Sequence, residues 1–504
     1  MRRPRPGRIL AAGITALAVA AAACAPLPAT GPRLATGDGP GQSGPTGTGT
    51  EESGDHPEWL PPETDLDWTP CGQRGPGEPP EGITLGCGMA GQSPVVRVTS
   101  TATPEEAAPL VVVAGPETPA SILATRLAST STDLVDSRPI VIVDHRGRTD
   151  AAATCLSFPA RRTLDSLADR GVDPGSPELR GALADTAQSC TDQLQSRELD
   201  YGATGAAEDL ETLRQQWQVP GLAVLGLGTG ARTALAFSTA HPDRLAVLAL
   251  DSPAPHDGDQ ESQARTALDG SDAALRLWSA ACTRAECGPG DADQKIADVA
   301  DALDRAADPG ARIPAALLSD VIRSALSDLA GASAPDAAAG DIILGDLISA
   351  EPGDLPGSVR ERAEQLAGSS LSYIAGCSDL SQRVPVNRIE ELESEWSGTP
   401  PFGPVLAAQL SGCSTWPVPA ATPVELSPTV PVLLSAGIAD PIGGAAMIEP
   451  AAGRLTAAGA TDVRTVTWGA PGSGVVLHSP CGRSALLAFL EDPASAEASA
   501  ACPS

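Results

Sequence analysis

Aromatic residues are scarce in this sequence: they make up 3% of its 504 residues, with only two Tyr and four Phe. Hydrophobic residues as a whole reach 42%, and Ala, Gly and Pro are abundant. This composition is globular, but it leaves Ala, Val and Leu to build most of the core. The length exceeds what one small core needs and suits one large domain with an insertion.

Positive charge is also scarce. The chain has 33 Lys and Arg residues against 63 Asp and Glu residues, which gives a formal net charge of -30. A protein this acidic repels polyanions, so nucleic acid and anionic membrane surfaces are excluded as partners. The simplest meaning of the charge is solubility.

The sequence contains no C-x-x-C pair and no Cys/His cluster with the spacing of a zinc site. Such spacing is the usual sign of a structural metal centre. We therefore expect neither a metal nor any other cofactor.

The first residues have the pattern of an export signal. Residues 1–8 are basic, residues 9–23 are apolar but short for a membrane span, and small residues precede Cys24. Residues 21–24 (AAAC) resemble a bacterial lipobox, although the same alanines also suit an ordinary signal peptidase. We expect an export signal over 1–23, a flexible tether over 24–57, and lipidation of Cys24 at the outer face of the cytoplasmic membrane, or else secretion.

Eleven cysteines become ten once Cys24 is set aside, and ten can pair. Outside the cytoplasm such spacings are best explained by disulfides, although the sequence alone does not fix their connectivity. Taken in order as near neighbours, the predicted pairs are Cys71–Cys87, Cys155–Cys190, Cys282–Cys287, Cys377–Cys413 and Cys481–Cys502.

From residue 109 onward, short β-rich runs alternate with helical stretches, which is typical of a parallel sheet flanked by helices. Residues 109–115 and 139–144 are continuous apolar runs, as in strands buried on both faces. The strand signal stops near residue 254 and returns near 430. We expect the first part of the core over 58–254, an inserted lid of short helices over 255–370, and the rest of the core over 371–504.

Residues 201–253 resemble the central block of the secreted tripeptidyl/proline aminopeptidases of actinobacteria, with an Asp-Leu helix, a strand, a nucleophile elbow and a strand ending in Leu-Asp. Other blocks are similar to the family's Asp-x-Arg-Gly turn, oxyanion loop, Cys-x-x-Trp-Pro segment and acid, at residues 144–147, 114–116, 413–417 and 440. The similarity runs from about residue 68 to 502. It implies an α/β-hydrolase fold, a helical lid, a TAP-like C-terminal region and an ancestor that released short peptides from free amino termini.

The nucleophile position is degenerate. A G-x-S-x-G elbow needs glycines two residues on either side of the serine, because the turn is too tight for larger side chains. Gly226 and Gly230 are present, but the residue between them is Gly228. Glycine offers no oxygen nucleophile, and it adopts a strained elbow conformation at little cost.

The base position is degenerate as well. The family carries its histidine in a Gly-His-Gly segment, and the matching residues are Gly472, Ser473 and Gly474. Asp440 is retained at the acid position. A carboxylate without a histidine to orient has no triad role, so turn chemistry at a strand end becomes its expected task.

A displaced nucleophile and base stay open as an alternative. Thr229 carries a hydroxyl, but Leu227 then replaces the small residue that the elbow requires, and Thr229 also suits a helix start. His478 is near the base position, although its place before Ser479 suits the entry to the last helix. No nucleophile is paired with any of the remaining histidines, which are His56, His145, His241 and His256.

The oxyanion loop formed by Ala114, Gly115 and the backbone of Thr229 has also changed. Glu117 replaces the family's final glycine, and its negative charge opposes a developing oxyanion. The sequence therefore favours an exported pseudoenzyme whose cleft binds peptides or other cell-envelope ligands. Two rivals remain, namely a working hydrolase that uses Thr229 and His478, and a cell-envelope scaffold that acts through protein contacts.

Overall fold

The computed structural model describes residues 57–72, 79–329, 338–351, 354–367, 370–422, 428–445, 447–460 and 462–504. The expected export signal, Cys24, His56 and all but the last residue of the expected tether lie outside these ranges. Within these ranges, no helix combines the length and the apolar character needed to cross a membrane.

The strands of the described residues are β1 (Thr69–Pro70), β2 (Ile83–Ala90), β3 (Ser93–Ser100), β4 (Leu110–Val113), β5 (Ile140–Val143), β6 (Leu222–Leu227), β7 (Leu245–Asp251), β8 (Val432–Asp440), β9 (Gly444–Ala445), β10 (Val463–Pro471) and β11 (Ser499–Cys502). They form one sheet in the order β1-β2-β3-β5-β4-β6-β7-β8-β10-β11, with β9 paired to β8. All neighbours from β5 to β11 in this order are parallel, whereas β1/β2, β2/β3, β3/β5 and β8/β9 are antiparallel. The predicted fold class is confirmed.

The α-helices of the described residues are α1 (Ala120–Thr130), α2 (Thr132–Ser137), α3 (Phe158–Asp165), α4 (Pro177–Leu194), α5 (Ala203–Trp217), α6 (Gly230–Ala240), α7 (Gln260–Ala285), α8 (Ala292–Ala306), α9 (Ala315–Ser327), α10 (Ala339–Ser349), α11 (Gly357–Leu366), α12 (Ser370–Ser378), α13 (Val386–Trp396), α14 (Gly403–Gln409), α15 (Ile448–Ala457), α16 (Val475–His478) and α17 (Pro480–Glu491). Short 3-10 turns lie at Ala151–Ala153, Glu198–Tyr201, Pro242–Arg244 and Leu410–Cys413.

Helices cover both faces of the sheet. Apolar side chains of α1, α2, α16 and α17 pack in one core cluster, and those of α5, α6 and α15 pack in another. Every residue of β4 and β5 is buried as a consequence. This explains why these strands are continuous apolar runs rather than alternating ones.

The helices between β7 and β8 have a core of their own, shared by α7 to α11 with α13 and α14. Two features differ from the predicted lid. Helix α7 has 26 residues, so it is long rather than short. The helices also continue past residue 370 as far as Gln409, because apolar residues of α13 and α14 such as Ile389 and Leu406 enter the same core.

The ten cysteines of the described residues form five disulfides, which join the near neighbours predicted: Cys71–Cys87, Cys155–Cys190, Cys282–Cys287, Cys377–Cys413 and Cys481–Cys502. The second and fourth bonds lie in a small core cluster around Tyr201 and Trp416. The second bond joins two segments between β5 and α5, and the fourth joins α12 to the turn after α14.

Lys295 on α8 is the only lysine of the sequence, and it is fully buried. Its Nζ donates to the carbonyl oxygens of Gly288, Pro289 and Gly290, at 3.3, 3.0 and 2.6 Å. Three acceptors satisfy all the donors of an ammonium group, which is how this charge is accommodated out of water.

Candidate functional site

The turn between β6 and α6 has the backbone of a nucleophile elbow. Gly228 has a φ of +54°, in the left-handed region that favours glycine. Its amide donates to the carbonyl oxygen of Asp251 at 2.9 Å. A Cβ added at Gly226 would lie 2.6 Å from Cα of Ala231, and one at Gly230 would lie 2.2 Å from O of Val113. Both flanking glycines are therefore sterically required.

Position 228 faces the acid loop. A Cβ there would meet Cδ1 of Ile442 at 3.3 Å and no other atom within 4 Å. Ile442 follows the acid position Asp440 by two residues, so the elbow and the acid position lie close together. The space accepts a small side chain, but Gly228 provides none.

Asp440 ends β8 and is fully buried. Its Oδ1 accepts hydrogen bonds from the amides of Ile442 at 2.7 Å and Gly443 at 3.0 Å, and from Oγ of Ser473 at 2.6 Å. Burial raises the pKa of this carboxyl, while these donors act to lower it. The carboxylate thus holds its own turn and binds the side chain at the predicted histidine position.

Ser473 lies in the loop after β10 and is buried. Its amide donates to the carbonyl oxygen of Ser327 at 2.9 Å, at the end of helix α9. The next amide, that of Gly474, donates to Oγ of Ser252 at 2.8 Å. The loop is therefore fixed between the helical layer and the end of β7.

Asp251 and Ser252 belong to this network and were not singled out from the sequence. The Asp251 carboxylate accepts from the amides of Val475 at 3.0 Å and Val476 at 2.9 Å, and its complete burial raises its pKa to about 6. Ser252 has a φ of +54°, which is rare for a residue with a side chain. The strand ending in Leu-Asp was the available signal, but only the fold brings it to residues 474–476.

The oxyanion side is occupied by a side-chain pair. Oγ1 of Thr229 donates to Oε1 of Glu117, and a Cβ added at Gly115 would lie 2.5 Å from the same oxygen. Thr229 lies at the start of α6, as expected, but its hydroxyl makes no capping bond there, so a capping role for the hydroxyl is wrong. The carboxylate of Glu117, which is predicted to oppose an oxyanion, therefore lies next to Gly115 of the predicted oxyanion loop.

His478 is not brought to Gly228 or Asp440 by any contact of the described residues. Its ring stacks on Trp468 with centroids 5.9 Å apart, and its Nε2 lies 3.5 Å from Oδ1 of Asp328. Asp328 also pairs with Arg126 at 2.5 Å and Arg362 at 3.5 Å. Burial lowers the pKa of His478 to about 4, so the imidazole is neutral at neutral pH.

The other histidines of the described residues contact groups other than Gly228, Asp440 and Ser473. His145 is buried, and its Nδ1 lies 3.0 Å from the carbonyl oxygen of Arg146. Burial lowers its pKa to about 4. Nε2 of His241 lies 3.3 Å from Oε1 of Glu208, and His256 lines a cavity beside α15.

An α/β-hydrolase family model described as TAP-like protein matches residues 399–502. No curated protein matches the chain in sequence.

Three of the solved structures that are similar to this chain are the following. An epoxide hydrolase from an endophytic Streptomyces is 12% identical, with a TM-score of 0.38, over 84% of this chain and 100% of that chain. Epoxide hydrolase A from Mycobacterium thermoresistibile is 18% identical, with a TM-score of 0.34, over 81% and 98%. A hydrolase from Oleispira antarctica is 9% identical, with a TM-score of 0.36, over 79% and 94%.

The positions 228, 440 and 473 also follow the chain order of nucleophile, acid and histidine in α/β-hydrolases. With the strand order and the TAP-like match, they identify the chain as a protein of α/β-hydrolase fold.

Proposed function

We propose that the chain is an exported α/β-hydrolase-fold protein that binds a ligand without hydrolysing it. One observation carries the proposal: position 228 has no side chain, while Ser473 makes the contact to Asp440 that a catalytic histidine makes in this fold. Neither an acyl intermediate on the elbow nor proton transfer through an imidazole is available at these positions.

The oxyanion side supports the same proposal. An oxyanion hole stabilises negative charge with amide donors that face an open space. Here the Glu117 carboxylate lies over Gly115 and accepts from Thr229. A second negative charge at this point is unfavourable, so the loop is poorly suited to a tetrahedral intermediate.

The rival hydrolase needs the Thr229 hydroxyl and the His478 imidazole within hydrogen-bond reach of each other. Thr229 instead donates to Glu117, and His478 lies against Trp468 and Asp328. Neither contact favours that rival, and no specific contact favours the scaffold role. Export is part of the proposal because the first 24 residues have the pattern of a signal and five disulfides suit an oxidising compartment.

The test is labelling of the purified chain by a fluorophosphonate probe, next to an active serine esterase as the positive control. We expect the esterase to be labelled and this chain to remain unlabelled. Labelling that is lost in Thr229→Ala would establish the rival hydrolase. Steady turnover of an ester or peptide, abolished by a point change in this site, would likewise overturn the proposal.

A further inference from the structure

A cavity of about 250 Å³ lies beside the degenerate site. Its walls come from α6, β7 and the loop after it, helix α7, β8 and the turn after it, and helix α15. Gly228, Asp440 and Ser473 do not line it. Two hydrogen bonds join it to that site. The amide of Gly443 donates to Asp440 at 3.0 Å, and the amide of Ala254 donates to the carbonyl oxygen of Gly228 at 3.0 Å.

The floor of this cavity is apolar. It is lined by the buried side chains of Leu235, Leu250, Leu434, Met447 and Leu455. Four of these residues come from α6, β7, β8 and α15, and Met447 directly precedes α15. An apolar group of a ligand placed there is removed from water, which is the main source of affinity in a small pocket.

The rim of the cavity carries charges of both signs. It includes His256, Asp257, Asp269 and Arg454. Neither the guanidinium of Arg454 nor the carboxylate of Asp269 has a hydrogen-bond or ion-pair partner among the described residues. Among the described residues, the only hydrogen-bond donor to the Asp257 carboxylate is the amide of Asp259, at 3.2 Å. The rim therefore offers both a free cation and a free anion to a ligand.

The charges on the rim limit the class of ligand that this cavity can bind. Burial lowers the pKa of His256, so the rim holds two carboxylates, one guanidinium and a neutral imidazole. A simple organic anion is repelled by this set and by the net charge of -30. A molecule with one ammonium, one carboxylate and an apolar body can pair with the two carboxylates, the guanidinium and the apolar floor, respectively. The volume lies below the usual range of roughly 300–1,000 Å³ for ligand pockets, which favours a small molecule.

We infer that this cavity binds a free α-amino acid with an apolar side chain. The side chain lies on the leucine floor, the carboxylate pairs with Arg454, and the ammonium pairs with Asp269 and Asp257. The inference rests on the proposed binding function and gives that function a site and a ligand class.

The first experiment compares four ligands by isothermal titration calorimetry on the purified full-length chain. L-Leucine has all three groups, 4-methylpentanoate lacks the ammonium, leucinamide lacks the carboxylate, and glycine lacks the side chain. We expect leucine to bind at least tenfold more tightly than each of the others. Absence of leucine binding at millimolar concentration, or equal binding of 4-methylpentanoate, would overturn the inference.

The second experiment repeats the leucine titration on variants of exposed rim residues, which should fold normally. Arg454→Gln and Asp269→Asn should each weaken binding at least tenfold, since each removes one charged partner. Arg312→Gln, at an exposed arginine outside the cavity, is the matched control and should bind as the parent does. Unchanged affinity in Arg454→Gln would refute the assignment.

The two proposals can fail separately. Fluorophosphonate labelling tests the loss of hydrolysis and is independent of leucine binding. An unlabelled chain that fails to bind leucine refutes the cavity assignment alone, whereas a labelled chain refutes the loss of hydrolysis.

Discussion

In our proposal, the elbow after β6 carries Gly228 where a hydrolase of this fold has its nucleophile, and the loop after β10 carries Ser473 where it has its base. The elbow and the loop differ in which features of a hydrolase site they contain. The elbow retains the glycines whose Cβ atoms would collide with backbone, at 2.6 and 2.2 Å. The loop after β10 retains a hydrogen bond, because the Ser473 hydroxyl still donates to Asp440.

This difference distinguishes residues that the fold requires for steric reasons from residues that a reaction requires. Gly226 and Gly230 are needed whenever β6 turns into α6 at this distance, whether or not any substrate is cleaved. The polar contact from Ser473 adds a third donor to a buried carboxylate, which is costly to leave with few partners. Glycine spacing is therefore evidence about the fold, and only the residue at its centre is evidence about the reaction.

The largest effect is expected at the elbow glycines. Gly230→Ala places a Cβ 2.2 Å from the backbone oxygen of Val113. Overpacking typically costs about 1–3 kcal/mol, and backbone yields less than a side chain, so we expect a loss of at least about 3 kcal/mol in the free energy of unfolding. Urea unfolding followed by circular dichroism measures it.

Gly453→Ala on α15 is the control, because a Cβ there meets nothing within 4 Å. It should stabilise the protein by about 0.5–1 kcal/mol, as expected for Gly to Ala in a helix. Equal stability of the two variants would show that the elbow is looser than described.

An intermediate effect is expected at the centre of the elbow. Gly228→Ser must hold a side chain at a φ of +54°, which costs about 1–2 kcal/mol, and its Cβ contacts Cδ1 of Ile442. We expect a loss of about 2 kcal/mol and a lower melting temperature. Gly453→Ser, at a helical and open position, should not be destabilised. A melting temperature unchanged by Gly228→Ser would contradict the placement of the elbow.

The smallest effect is expected in the loop after β10, and it depends on pH. Ser473→Ala removes one donor to Asp440 and should cost about 1 kcal/mol at neutral pH. The folded pKa of Asp440 is already raised from its ordinary value of 3.8 by burial, and the hydroxyl acts to lower it. The hydroxyl binds an ionised carboxylate more strongly than a neutral carboxyl, so the deficit should be smallest at acidic pH and grow as the pH rises through the raised pKa of Asp440.

Melting curves at about pH 4, 5.5 and 7 test this dependence. Ser484→Ala is the matched control, because its hydroxyl donates to a carbonyl oxygen in an exposed helix turn at 3.0 Å. Its deficit should not change with pH. A deficit in Ser473→Ala that is the same at all three values would contradict the prediction, because it would show that Asp440 does not change its protonation state over this range in the folded protein.

The central strands could be predicted from the sequence because their burial on both faces leaves an unbroken apolar run, as in β4 and β5. The hairpin of β2 and β3 could not. Strand β2 contains Gly86 and Gly88, which normally disfavour a strand. A Cβ at Gly88 would lie 3.3 Å from the Trp68 ring, which is tighter than most such contacts, whereas one at Gly86 would make an ordinary contact with it at 3.5 Å. A residue far along the chain therefore restricts position 88.

The sequence predicted helices between β7 and β8, but not that they continue past residue 370 or that α7 has 26 residues. Gly270 interrupts the helical pattern of α7, and glycine lowers helix propensity. The structure needs it, since a Cβ at Gly270 would lie 1.9 Å from O of Asp440. Contacts of this kind join residues far apart in the chain, as does the bond between Thr229 and Glu117. No local pattern encodes them.

The burial of Lys295 decides which chemical cross-linkers can attach molecules that bind this protein. Because this residue is the only lysine and its ammonium is satisfied by three carbonyl oxygens, amine-reactive reagents find no side-chain target on the folded surface. Cross-linkers that activate carboxyl groups are suited to this chain instead, since its 63 acidic residues supply many attachment points.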